Sequence, residues 1–285
     1  MIFGQNSSAR APAARGGLAD ALRCCQEAYA AGRPLALLFD YDGTLVPICP
    51  SPELARLSPP TRRRLVRLAR RPRVAVGIVS GRSLDELRRM CLLEGVVYVG
   101  TGGFEWDVFG KRGAHPRAHE VRRTVTALYR RLADALAPFT GAWVENKHFA
   151  LAVHYRQVPE DHLPALAKAL GALLDSYQPA VRAVQAPKAL EIYPEVGWDK
   201  GSAVRWLAQE VFGSQALLLY AGDAPNDEPA LSAVESLGGV AVAVGTEVQA
   251  AYALRDPQAV GELLAALDAQ LADPLHDLPD PLASG

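Results

Sequence analysis

Two carboxylates one residue apart, Asp40 and Asp42, follow the apolar run Leu35–Phe39 and precede Gly43 and Thr44. Carboxylates leaving a buried strand can enter a single pocket as the chain turns, and glycine permits the tight loop. An aspartate-capped turn is the ordinary alternative. Ser80, Gly81 and Arg82 follow a second apolar run, VAVGIV. A strand-end serine opening a helix can offer its hydroxyl and backbone N–H groups to phosphate, or can simply cap the helix. Lys200 opens another helical pattern, where a cation opposes the macrodipole unless it neutralises a bound anion. The run Gly222-Asp223-Ala224-Pro225-Asn226-Asp227-Glu228 follows the apolar stretch ALLLYA, and clustered carboxylates there suit a hard cation such as Mg²⁺. These residues compose a candidate nucleophile, a phosphate donor, a cation and metal-binding carboxylates.

All four groups must be brought to one edge by the elements that carry them. The runs at 35–40, 74–80, 96–100, 216–223 and 240–245 are almost continuously apolar, as in strands of a parallel sheet covered on both faces. Helical patterns separate them at 60–70, 83–92, 200–212 and 227–236, after a first helix at about 18–31. The βαβ rhythm predicts a doubly wound α/β core, with its ligands at the carboxyl ends of the strands. Between Phe104 and Tyr193 the rhythm breaks into alternating strands and two helical segments, 117–137 and 160–175, which reads as an inserted α+β cap. The expected division is a tail and helix at 1–32, core at 33–103 and 191–272, cap at 104–190 and a flexible tail at 273–285.

Composition excludes several classes. The 285 residues are 49% hydrophobic and 21% charged, with a net charge of −1, so no basic footprint for nucleic acid exists. The arginine clusters at 62–64 and 70–71 sit among leucines at helical spacing and read as a solvated helix face. No apolar run approaches the roughly 20 residues that span a bilayer, and the N-terminus lacks a secretory pattern. Cys24, Cys25, Cys49 and Cys91 have no metal-ligand spacing, so reduced thiols in a cytoplasmic monomer are expected.

The four groups, taken together and in this order, resemble the motifs of the haloacid dehalogenase superfamily across about residues 35–265: Asp40/Asp42, Ser80, Lys200 and Asp223/Asp227. The resemblance implies a phosphatase in which Asp40 attacks phosphorus and Asp42 acts as acid and then base. It implies Mg²⁺ held by Asp40, Asp42 through its backbone carbonyl, and Asp223, with Asp227 supporting the shell. Thr44, Ser80, Gly81 and Lys200 would bind the phosphoryl group.

The cap sequence bears on substrate. The run from Glu145 to Arg156 (ENKHFALAVHYR), with Leu190-Glu191-Ile192-Tyr193-Pro194 and Trp198-Asp199-Lys200-Gly201, is similar to the cap motif of trehalose-6-phosphate phosphatases. Strand parity separates Phe149, Leu151, Val153 and Tyr155 from Ala150, Ala152, His154 and Arg156. The first face can pack on the cap helices; the second is small and polar, as a sugar cleft requires. Glu145, Lys147, His154, Arg156 and Glu191 are the expected sugar contacts, and a solvated sheet face is the alternative. Two positions depart from that family: Ala224 replaces a carboxylate beside Asp223, and Gly102 stands where histidine is frequent. Trehalose 6-phosphate is the expected substrate; the GDxxND form is similar to glucosyl- and mannosyl-3-phosphoglycerate phosphatases, which makes those or another phosphosugar the alternative. A non-catalytic sugar-phosphate sensor is the reading from a different class.

Overall fold

The computed structural model describes residues 16–271, Pro187 apart. The expected tails fall outside these residues, save Gly16. An eight-stranded sheet has the order β12-β11-β10-β1-β2-β3-β4-β5, built from β1 (Leu35–Phe39), β2 (Val74–Val79), β3 (Val97–Gly100), β4 (Glu105–Val108), β5 (Lys111–Ala114), β10 (Leu217–Gly222), β11 (Val240–Val244) and β12 (Tyr252–Leu254). Its first six strands in space are parallel, while β4 and β5 add antiparallel to β3.

The continuous apolar runs have the predicted cause. On β1, Leu35, Leu37 and Phe39 pack against α1 (Leu18–Ala30), α2 (Pro59–Arg70), α3 (Leu84–Cys91) and α8 (Pro257–Gln270). Ala36 and Leu38 face the opposite layer, α6 (Lys200–Trp206) and α7 (Glu228–Ser236). Each fully buried leucine of this kind is worth roughly 1.5–3 kcal/mol, enough to hold the sheet between its helix layers. Helix starts are chemically marked: Ser58 and Asp256 accept from Thr61 N and Ala259 N, each with proline at the first helical position. The predicted helix 200–212 is α6 running on into a wider π turn at Leu207–Phe212.

A second, antiparallel sheet of order β6-β7-β9-β8 comprises β6 (Trp143–Asn146), β7 (Leu151–His154), β8 (Val181–Ala186) and β9 (Ala189–Pro194). One face carries Phe149, Leu151, Val153, Tyr155, Leu190 and Ile192 against α4 (Ala118–Leu136) and α5 (Leu163–Asp175). On α4 the buried residues Val121, Val125, Leu128, Leu132 and Leu136 form a single stripe, the helical counterpart of that strand parity.

Strand pairing moves both expected boundaries. β4 and β5, assigned to the cap from sequence, extend the core sheet, because a hairpin can add to the edge that β3 leaves open. Residues 191–194, assigned to the core, belong to β9 in the cap sheet. The arginines of α2 are also more than a solvated face. Arg64 donates to Gly261 O, and Arg71, at the C-cap of α2, donates to Asp268 O and to Leu271 O at the C-cap of α8, tying the two helices together.

Candidate active site

Register explains why the four groups meet. Phe39 lies opposite both Ile78 and Ala221, so the chain leaves the sheet together at Asp40, Ser80 and Asp223. The first loop is tight: Gly43 has φ +85°, and a Cβ there would lie 2.0 Å from an Asp223 carboxylate oxygen. Glycine is required at this position by both backbone and space. Asp199 caps α6 by accepting from Ser202 N at 2.8 Å, which sets Lys200 on the first turn.

The Lys200 ammonium is 3% exposed and donates to Asp40 Oδ1 at 2.7 Å and Asp227 Oδ1 at 2.6 Å. Burial opposes its charge, but Asp227 and Asp40 outweigh burial and hold its pKa above the usual lysine range. Burial drives Asp40 the other way, well above the usual carboxylate range, with Asp227 and Asp223 adding to the rise and Lys200 opposing it. Asp223 is pushed up to about 7, mainly by burial and then by Asp227. Asp42 is held in a bidentate fork by Arg82, Nε to Oδ2 at 2.5 Å and Nη2 to Oδ1 at 2.7 Å. Four carboxylates thus face two cations, and oxygens of Asp40, Asp223 and Asp227 lie within 4.8 Å of one another. This all-oxygen, under-neutralised donor set fits a divalent hard cation.

Two residues are more engaged than expected. Asp227 is fully buried; its Oδ1 accepts from Lys200 and Tyr220 Oη, and its Oδ2 from the backbone N–H groups of Asp223 and Ala224. With four donors on two oxygens it orients Lys200 and the Asp223 loop, and direct metal ligation would require it to give up bonds. Thr44, expected on phosphate, is fully buried and donates to Asp223 Oδ1 at 3.0 Å. Ser80 stands at the strand end as expected, but its helix begins later: Ser83 is the cap, with Glu86 completing a capping box. Ser80 Oγ instead accepts from Arg82 N.

Above this edge the polar face of the cap sheet lines a cavity of about 350 Å³ that reaches Asp42 and Arg82. The five sugar-contact candidates, Glu145, Lys147, His154, Arg156 and Glu191, all line it. Lys147, 7% exposed, donates to both Glu191 oxygens at 2.9 and 3.2 Å. Burial opposes its charge, yet Glu191 and Glu145 raise its pKa. His154 Nε2 lies 2.8 Å from Glu145 Oε2 and its ring stacks on Trp143 at 4.1 Å. Burial would raise Glu145, but that hydrogen bond and Lys147 keep it below the usual range.

Residue pattern alone assigns Arg82 no role at the site, and puts Trp143 on one strand face with Glu145 and Lys147 without making it a sugar contact. Arg82 was visible only as the third residue of Ser-Gly-Arg; its fork to Asp42 spans 40 positions of chain. Trp143 shares strand parity with Glu145, but its exposure at the cavity follows from β6 being an edge strand. At Gly102, φ is +64°, and a Cβ there would lie 2.8 Å from the Tyr193 ring. The space that a histidine would take is occupied by Tyr193.

Comparison with known proteins agrees with this geometry. The family model for trehalose-phosphatase matches residues 38–258. A probable trehalose-phosphate phosphatase D of Arabidopsis thaliana is 32% identical over 249 residues, covering 82% of this chain and 67% of its own length. A trehalose-phosphate phosphatase of Mycobacterium avium is 34% identical, covering 85% of this chain and 64% of its own length. The chain therefore spans about two thirds of these relatives. In fold it is similar to the C-terminal domain of C. albicans trehalose-6-phosphate phosphatase, with a TM-score of 0.72 at 22% identity over 91% of this chain and 99% of that one. It is similar also to a haloacid dehalogenase-like hydrolase of Bacteroides thetaiotaomicron, with a TM-score of 0.59 at 16% identity over 82% of this chain and 98% of that one. Family model, relatives and the geometry of the sheet edge agree that the chain belongs to the trehalose-phosphatase family.

Proposed function

We propose that the chain is a Mg²⁺-dependent phosphatase that hydrolyses trehalose 6-phosphate through a phospho-aspartate on Asp40. One observation carries this reading: the Asp40–Lys200–Asp223–Asp227 cluster lies at the sheet edge, beneath a cap cavity lined by charged and hydrogen-bonding side chains.

Asp40 forms a bond to phosphorus as the bond from phosphorus to the sugar oxygen breaks, dividing one displacement into two easier ones. Asp42 delivers a proton to the departing alkoxide, then takes one from the water that cleaves the acyl-phosphate. Both Asp42 oxygens are engaged by Arg82, so the acid role requires one arm of the fork to open. Lys200 places positive charge beside Asp40 and Ser80 offers a hydroxyl, where preorganised donors favour charge on the transferring oxygens. Asp40, Asp223 and the Asp42 carbonyl would hold Mg²⁺, which when bound supplies the positive charge this cluster lacks. The cap cavity orients the sugar and limits water.

The cavity lining favours an uncharged sugar over one bearing a further carboxylate. It presents the carboxylates Asp42, Glu53, Glu86, Glu145 and Glu191 against the cations Arg82, Lys147, Arg156 and Lys188. A glycosyl-3-phosphoglycerate would bring another negative charge to a lining without surplus positive charge. Phosphate release from trehalose 6-phosphate and both glycosyl-3-phosphoglycerates tests this. A rate for trehalose 6-phosphate at background, beside turnover of another compound, overturns the substrate and keeps the chemistry. Asp40→Asn should abolish turnover of every compound, and normal turnover in that variant sinks the phospho-aspartate.

A further inference from the structure

Tyr193 does not fit the packing logic around it. Strand parity puts it on the cleft side of β9 with Glu191, while Leu190 and Ile192 enter the cap core. The residue is 4% exposed, and its hydroxyl is buried without a hydrogen bond. An orphan buried hydroxyl is unfavourable and rare, so it asks for a reason. The ring is firmly placed: the Arg182 guanidinium lies over it at 5.3 Å, and the ring occupies the space beside Gly102.

The hydroxyl reaches the phosphate side of the core site. A Cβ built on Gly81 would stand 3.3 Å from Tyr193 Oη and 3.9 Å from Asn226 Nδ2, so both groups converge beside the Ser80–Gly81 backbone. Asn226 Oδ1 is turned toward Lys200 at 3.5 Å, which leaves the amide NH₂ toward Gly81. Tyr193, Asn226 and Lys200 share the lining of a small cavity of about 40 Å³. Burial pushes the phenol up to about 12, so it is a protonated donor at neutral pH. Glu191 adds to that rise, while Lys147, Lys200 and the Asn226 amide turned toward the hydroxyl oxygen oppose it, which leaves the phenolic proton without an acceptor.

Resting on the phosphatase reading above, we propose that Tyr193 is a phosphoryl-contacting residue that the cap contributes to the core site. Its hydroxyl stands without a partner until it donates to an oxygen of the phosphate group beside Gly81. The contact is to phosphate rather than sugar, so it acts on every substrate alike.

The test is Tyr193→Phe in the full chain, which keeps the ring and removes only the oxygen. Without ligand the variant should unfold at the same or a higher temperature, since an unpartnered buried hydroxyl has gone. With Mg²⁺, kcat/KM should fall about tenfold for both the phosphosugar and 4-nitrophenyl phosphate, and inorganic phosphate should bind about tenfold more weakly by calorimetry. Unchanged phosphate binding and turnover would overturn the proposal. A lower unfolding temperature with unchanged turnover would also overturn it, because the hydroxyl would then be bonded to a buried water. A loss confined to the phosphosugar would place the contact on sugar and refute the assignment. Should the wild-type chain hydrolyse none of these compounds, the phosphatase reading fails, and phosphate binding still decides the contact: a phosphate affinity equal in the two proteins, or absent from both, refutes it.

Discussion

Replacing Lys147 by Met should leave Glu191 as a carboxylate buried in the cap without its cation. The two side chains are 8% and 12% exposed and joined by bonds of 2.9 and 3.2 Å. Removing one member of a buried pair typically costs about 3–5 kcal/mol, because the remaining charge is uncompensated. For a chain of this size that is a fall of roughly 6–20 °C in unfolding temperature, at about 2–4 °C per kcal/mol. The double variant Lys147→Met/Glu191→Leu should recover most of the loss, since two apolar groups of similar volume need no partner. The assay is thermal and denaturant unfolding of wild type, both singles and the double. Phosphosugar kcat/KM should fall at least tenfold in all variants, while 4-nitrophenyl phosphate, which lacks the sugar, should be nearly unaffected. A loss below about 1 kcal/mol for Lys147→Met, or a double variant as unstable as the single, would refute the claim that this is a desolvated, coupled pair.

The remaining expectations concern the core edge and the outer cavity. Mg²⁺ should raise the unfolding temperature, and by more at pH 8 than at pH 6. Asp40 and Asp223 have folded pKa values raised first by burial and then by Asp227, that of Asp223 to about 7, so the metal-free protein loses stability as pH rises through these raised values, and the cation relieves it; an increment independent of pH counts against a shared carboxylate site. Arg82→Lys replaces the fork on Asp42 with a single donor. Turnover of the phosphosugar, whose alkoxide leaving group needs a proton, should drop about tenfold more than that of 4-nitrophenyl phosphate; equal losses would show that Arg82 serves something other than Asp42. Trp143→Ala removes a half-exposed ring stacked on His154 at the cavity rim. Its KM for the phosphosugar should rise several-fold at constant kcat, and Trp143→Phe should restore it; a fall in kcat instead would place Trp143 among the groups that align the phosphate.

The chemistry-bearing motifs and the alternation of strand and helix were local properties, and the sequence alone sufficed to read them. Five continuous apolar runs meant strands buried on both faces, and the residues at their ends had to share an edge, which groups Asp40, Ser80 and Asp223, while Lys200, at a helix start, joins them through the order of the motifs. The parity of Phe149–Arg156 likewise separated cap core from cleft, because side chains alternate with a period of two whatever the partner strand. What the sequence could not determine was who meets whom across long separations. The hairpin β4–β5 has the alternation of a cap strand, and only the open edge of β3 decides that it belongs to the core. The arginine-rich α2 resembles any solvated helix until α8 supplies carbonyls opposite it. Asp227 and Thr44 have the residue types of ligands, and only the packed site shows them bonded to Lys200 and Asp223. Arg82 on Asp42, and Tyr193 in the space beside Gly102, are likewise encounters between distant segments. Periodicity reports on a residue's own element, whereas hydrogen-bond partners and excluded volume are set by whichever element the fold brings against it.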